Sequence, residues 1–153
     1  MKAIVSFAVS TTYLLLTGCA MHTSPQEFKD SHERKAKVIV VDEPLVSVHE
    51  RTLKLAQKCM NRSFSHSDGL TSNTKVESET LADKAKIIRI KLDTKGGMGS
   101  SLDSFAAIAE LKNMGPSATE VKIYAPRRNS YLKKAFERWA FGQSDACPES
   151  SWH

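Results

Sequence analysis

No hydrophobic run in this chain is long enough for an ordinary transmembrane helix. The longest, Ala3–Leu16, falls short of the roughly 20 apolar residues that a bilayer needs. Catalytic signatures are equally scarce. There is no G-x-S-x-G elbow. Gly96-Gly97-Met98-Gly99 lacks the Gly-Lys-Ser/Thr ending of a phosphate-binding loop and is followed by a strand pattern, so it reads as a hairpin loop. The five histidines, His22, His32, His49, His66 and His153, never stand at metal-ligand spacing from one another or from a cysteine. No metal and no cofactor is expected. Ser63, Ser65, His66, Ser67 and Asp68 contain the residue types of a hydrolase triad, but adjacency in sequence is not convergence in space. They read as a solvated loop. The chain shows no internal repeat and no long low-complexity segment.

What is present begins at the N-terminus. Met1-Lys2 is a minimal positive region, Ala3–Leu16 is an apolar core, and Leu16-Thr17-Gly18-Cys19 follows. These residues resemble the lipobox of bacterial lipoprotein signals. The resemblance implies cleavage before Cys19 and lipid on that cysteine, anchoring the chain to a membrane. By resemblance to enteric sorting patterns, Ala20 in place of Asp implies the outer membrane, facing the periplasm. Acyl chains contribute about 0.8 kcal/mol per buried CH₂, so two of them make a stable anchor. The chain then divides into a signal over 1–18, a lipidated flexible tether over 19–35 and a small domain over 36–153. The tether is polar and mixed in charge, with Pro25. A surface helix from Pro25 to Arg34 is the weaker reading.

Lysine and arginine number 22 against 17 aspartate and glutamate, a formal net charge of +5. Removing 1–18 takes away only Lys2, so the remainder stays basic. Basic character suits anionic partners: lipid headgroups, lipopolysaccharide phosphates, peptidoglycan carboxylates or an acidic protein. Solubility is the bland alternative. Nucleic acid is a poor partner in the compartment that the lipobox implies. That compartment is also oxidising. With Cys19 acylated, Cys59 and Cys147 allow one intramolecular pairing. Closing such a loop would contribute about 4–5 kcal/mol in a chain-entropy account. Free or intermolecular thiols are the alternative.

Lys37–Val41 is β-branched and reads as a first strand. Val48, Leu55, Ala56, Cys59 and Met60 recur at helical spacing, which predicts a helix over 45–61. Arg51, Lys54 and Lys58 lie mostly off its apolar face. Residues 61–73 are turn-rich. Thr74–Thr80 is a weak strand. Ala85–Leu92 is a better one, whose inward phase shifts between Ile87 and Ile88, by a bulge or by burial on both faces. Phe105–Leu111 and Val121–Tyr124 alternate as further strands. Short connections favour an antiparallel meander.

Asn129 or Ser130 is placed to cap a second helix. Tyr131, Leu132, Ala135, Phe136, Trp139 and Ala140 form its apolar stripe, and Gly142 suits the position just past its end. Lys133 and Glu137 stand at pairing distance along it. The sum is an α+β, two-layer sandwich: an antiparallel sheet of about four strands packed by two helices, with one disulfide. Arg127, Arg128, Lys133, Lys134 and Arg138 surround the second helix. Two arginines at a helix start oppose its dipole, and this set is the candidate anion or partner contact. A solvated helix face is the alternative. Trp139 reads as core, and Trp152 as an exposed contact or a tail residue.

The pattern Tyr131-Leu132, Ala135-Phe136, Trp139-Ala140, Gly142 and Cys147-Pro148, with Cys59 at a helix end and Val121–Tyr124 before the helix, resembles small proteobacterial outer-membrane lipoproteins. These motifs are structural and carry no catalytic residue over. The resulting expectation is a non-catalytic envelope accessory that binds another envelope component, such as part of a secretion or transport assembly. A lysozyme-inhibitor role is disfavoured by charge, since lysozymes are commonly basic too. A cell-wall hydrolase is the enzymatic alternative, with His66 and Asp68 meeting a nucleophile from elsewhere.

Overall fold

The computed structural model describes residues 24–65, 69–96, 101–143 and 147–148. The lipobox-like Leu16–Cys19, the His66 and Asp68 pair, Gly97–Gly99, Trp152 and His153 lie outside them. The elements are α1 (Pro25–His32), β1 (Lys37–Val41), α2 (Leu45–Met60), β2 (Arg62–Ser65), β3 (Thr71–Thr80), β4 (Lys86–Lys95), β5 (Ser101–Gly115), β6 (Ala118–Tyr124) and α3 (Ser130–Ala140). The α+β class, the antiparallel sheet and the Cys59–Cys147 bridge are as expected. The sheet, however, has six strands rather than about four, in the order β1-β6-β5-β4-β3-β2.

Two strands were under-read because their residues carry little hydrophobic signal. Arg62–Ser65 and Thr71–Thr80 are mostly Ser, Thr, Asn and charge, yet they pair from Arg62↔Thr74 to Ser65↔Thr71. The ladder satisfies their backbone whatever their side chains. β2 to β6 form a continuous antiparallel meander, and β1 returns to the far edge beside β6. Helix α2 makes that crossing. Its 16 residues span about 24 Å, which matches six strands spaced about 4.8 Å apart.

Helices α2 and α3 cover one face of the sheet. Val48, Ala56, Cys59 and Met60 of α2 and Leu132, Phe136, Trp139 and Ala140 of α3 share a core with Ile88, Ile90, Ala107, Ala109, Leu111, Val121 and Ile123. Part of the opposite face is buried as well, which departs from a two-layer sandwich. Phe28 of α1 packs with Ile87, Phe105, Ile108 and Tyr124. Residues 24–35, expected to be tether, are therefore ordered onto the sheet. Ser24 caps α1 by accepting from the Glu27 N–H at 3.1 Å, and Pro25 opens the helix. Lys29 then reaches Glu110 at 3.3 Å, and Lys112 meets the same carboxylate from the other side at 3.1 Å.

Burial on both faces accounts for the phase shift in β4. Ile87 faces α1 and Ile88 faces α2 and α3. A bulge also exists, three residues later and in the neighbouring strand. Ile90 pairs Ala107 while Lys91 pairs Phe105, leaving Ala106 as the extra residue. The Asn129 side chain, expected to cap α3, instead donates from Nδ2 to the buried Ala106 carbonyl at 3.1 Å.

Helix α3 ends as expected. Gly142 takes φ +65°, its N–H donates to the Trp139 carbonyl, and the Gln143 N–H donates to the Arg138 carbonyl. Arg51 completes that end. Its guanidinium donates to the Trp139 and Ala140 carbonyls and grips Glu43 with both forks, at 2.8 and 3.0 Å. A Cβ at Gly142 would stand 3.3 Å from Arg51 Nε, so the left-handed conformation and the close approach both favour glycine there.

Replacing Asn129 with Ala leaves the Ala106 carbonyl buried without a donor. Chemical denaturation should show a loss of about 1–3 kcal/mol, with the slope of the transition unchanged.

Candidate functional site

Helix α3 owes its orientation to its apolar stripe. Leu132, Ala135, Phe136, Trp139 and Ala140 turn toward the sheet and are buried. This leaves Tyr131, Lys134 and Arg138, at i, i+3 and i+7, along one flank. The chain beyond α3 comes back across that flank because Cys147 is bonded to Cys59 in the last turn of α2, with Cα atoms 5.1 Å apart. The two walls enclose a cleft of about 420 Å³ lined by Tyr131, Lys134, Ala135, Arg138, Trp139, Cys147 and Pro148.

The five basic candidates separate into three groups. Lys134 and Arg138 line the cleft. Lys133 turns away from it and donates to the Lys35 carbonyl. Burial first, and then the charge of Lys35, hold Lys133 below the ordinary lysine pKa. Arg127 and Arg128 sit in the 3₁₀ turn before α3 and are exposed. The Lys133–Glu137 pair expected along the helix does not form, since Glu137 goes to Lys37 of β1. Among the described residues, no carboxylate lies within ion-pairing distance of Arg127, Arg128, Lys134 or Arg138. The one acidic side chain of α3 is thus drawn to the far flank, and the cleft flank stays cationic.

Charge alone pointed to Lys134 and Arg138 in the sequence. The aromatic half of the cleft was not legible as such, because Tyr131 and Trp139 fell in the apolar stripe and read as core. Trp139 is core, with 1% exposure, and borders the cleft without an accessible ring face. Pro148 carried no signal beyond its place after Cys147. A cation pair beside Tyr131 and a proline ring suits an anionic group attached to an apolar body.

Among the described residues, no group of three or more His, Cys, Asp or Glu side chains stands together. Two Ser–His contacts stand elsewhere among the described residues: Ser31 Oγ lies 2.8 Å from its neighbour His32 Nδ1 in α1, and His49 Nε2 of α2 lies 2.8 Å from Ser78 Oγ of β3. Ser78 is exposed on the sheet and none of these residues lines the cleft. The second pair joins α2 to β3. No helix among the described residues is long and apolar enough to cross a membrane. No family model, curated protein or solved structure matches the chain.

His49 is held below its ordinary pKa of 6.5, first by burial and then by the charge of Lys86, with Glu50 acting in the opposite sense. The fold thus disfavours the imidazolium. The stability linked to this group is present in full above pH 6.5, the unfolded-state value, and is lost as pH falls through the lower folded-state value. Wild-type Tm should decline below pH 6.5, and His49→Gln should flatten the decline. An identical decline in the variant would assign it to the carboxylates instead.

Proposed function

We infer that this chain is a lipid-anchored accessory of the bacterial outer membrane, facing the periplasm, that binds an anionic component of the envelope without catalysis. One observation carries the reading. Lys134 and Arg138, without a carboxylate partner among the described residues, share a cleft with Tyr131, Trp139 and Pro148, and a disulfide closes its wall. The lipobox at Leu16–Cys19 supplies the address, and the disulfide is compatible with an oxidising compartment. The partner chemistry is phosphate or carboxylate on a larger body. Lipopolysaccharide, peptidoglycan and an acidic protein surface all offer it.

Anchoring and binding are separable by mutation. Cys19→Ser should abolish acylation without changing the fold. Metabolic labelling with a palmitate analogue should mark wild type and not the variant; labelling of both would remove the lipid anchor from this account.

Crosslinking in intact envelopes, read by mass spectrometry and by carbohydrate analysis, distinguishes an acidic protein from lipopolysaccharide or peptidoglycan. The Lys134→Glu and Arg138→Glu double variant should cut recovery of that component at least tenfold, as for two charge-assisted contacts of about 0.7 kcal/mol or more each. Arg127→Glu with Arg128→Glu should cost less, since those side chains lie outside the cleft. Recovery unaffected by the Lys134 and Arg138 reversal would sink the cleft as the binding surface.

A further inference from the structure

The two edges of the sheet differ in chemistry. The β2 edge presents Arg62, Ser63 and Ser65 as its exposed side chains, the polar character that keeps strand edges apart. The β1 edge is Lys37-Val38-Ile39-Val40-Val41, with strand β6 on one side only. Val38 and Val40 point to the face that carries α1, beside Lys122 and Glu120 of β6, and remain 50% and 53% exposed. Helix α1 covers β5 and β6 and leaves them bare. The one cation of the strand, Lys37, is turned to the opposite face and paired with Glu137, so it does not guard the valines.

We propose that β1 is a self-association edge, on which a second copy of this chain pairs antiparallel about a two-fold axis at Ile39, continuing the sheet across both copies. The strand is self-complementary in that register and the argument for the occupant rests there. Reflection through Ile39 sets Val38 opposite Val40 of the second copy and Val40 opposite Val38. The four half-exposed valines then form one covered apolar patch on the α1 face. The flanks match in charge. Arg34 and Lys35 precede the strand and Asp42 follows it; the same reflection sets 36 opposite 42, so the basic residues of one copy stand beside Asp42 of the other, while Glu43 stays with Arg51 of its own chain. Among the described residues, Arg34, Lys35 and Asp42 have no ion pair within their own chain. Two-fold pairing also consumes both β1 edges and leaves only the polar β2 edges outside, so assembly stops at two. The surface lies apart from the α3 cleft and does not depend on what that cleft binds.

A five-residue edge buries less than a standard interface, which places the dissociation constant in the range of about 1–100 μM. Two measurements on the full chain in detergent test the proposal. Ile39→Cys places one cysteine on the axis, and mild oxidation should convert it to a covalent dimer on a non-reducing gel. Wild type and Lys54→Cys, an exposed position on α2, should not form it. Separately, sedimentation equilibrium of wild type should show a monomer–dimer equilibrium that Val40→Lys weakens at least tenfold. Val40 is half exposed and makes no core contact, so that variant retains the fold even if Ile39→Cys does not. Wild type that remains monomeric through about 100 μM, association that Val40→Lys leaves intact, or an Ile39→Cys crosslink to a different protein would each overturn the two-fold pairing.

Discussion

The Arg51 guanidinium ties the loop after β1, helix α2 and the end of α3 to one another at a single point. Helices end with carbonyls that lack partners, and α3 ends against the middle of α2. Arg51 meets those carbonyls with a fixed charge, while its other nitrogens grip Glu43 in the loop between β1 and α2. The bidentate contact holds the Glu43 carboxyl below its ordinary pKa, the hydrogen bond to Arg51 being the main cause. Loop, α2 and α3 are thereby set in one relative position. Lysine could supply the charge but not the fork. The glycine at 142 follows from the same constraint, since the arginine occupies the space where a side chain would start.

With α3 so placed, the cleft is a consequence. The apolar stripe turns one side of the helix to the sheet, Glu137 is pulled to Lys37, and Lys134 and Arg138 are left on the remaining flank. The disulfide then brings the following chain across that flank. Each step concerns stability, and their sum is a cationic cleft beside Tyr131 and Pro148. The β1 edge arises in a similar way. Strand β1 enters the sheet last in spatial order, beyond the reach of α1, and its two outward valines stay uncovered.

The centre of the sheet shows how a small fold buries both faces. Ala106, Ala107 and Ala109 of β5 are fully buried beneath the helices, where larger residues would hold α2 and α3 off the sheet. On the other face, Ile108 and Phe105 receive Phe28. Glu110, in that same strand, is nearly buried and is accepted there because Lys29 and Lys112 flank it. The charge of Glu110 raises the Lys112 pKa, through a hydrogen bond first and Coulombic attraction second. One short helix, read in the sequence as a polar tether, thus covers the middle of that face.

Where residue type decides structure locally, the sequence by itself was sufficient. The β-branched run of β1, the helical spacing in α2 and α3 and the left-handed Gly142 were all legible, because periodicity and backbone freedom act within a few residues; the pairing of Cys59 with Cys147 was legible only with Cys19 set aside by the lipobox resemblance. Long-range partners were decided only by the tertiary structure. The strands β2 and β3 carry too little hydrophobicity to announce themselves and exist because a neighbouring ladder takes their hydrogen bonds. Asn129 suits a helix cap in isolation, but the bulge at Ala106 offers it a buried carbonyl. Glu137 suits Lys133 by spacing, yet β1 brings Lys37 to it. In each case the local preference is weak, of the order of 1 kcal/mol or less, and a contact from a distant part of the chain outweighs it.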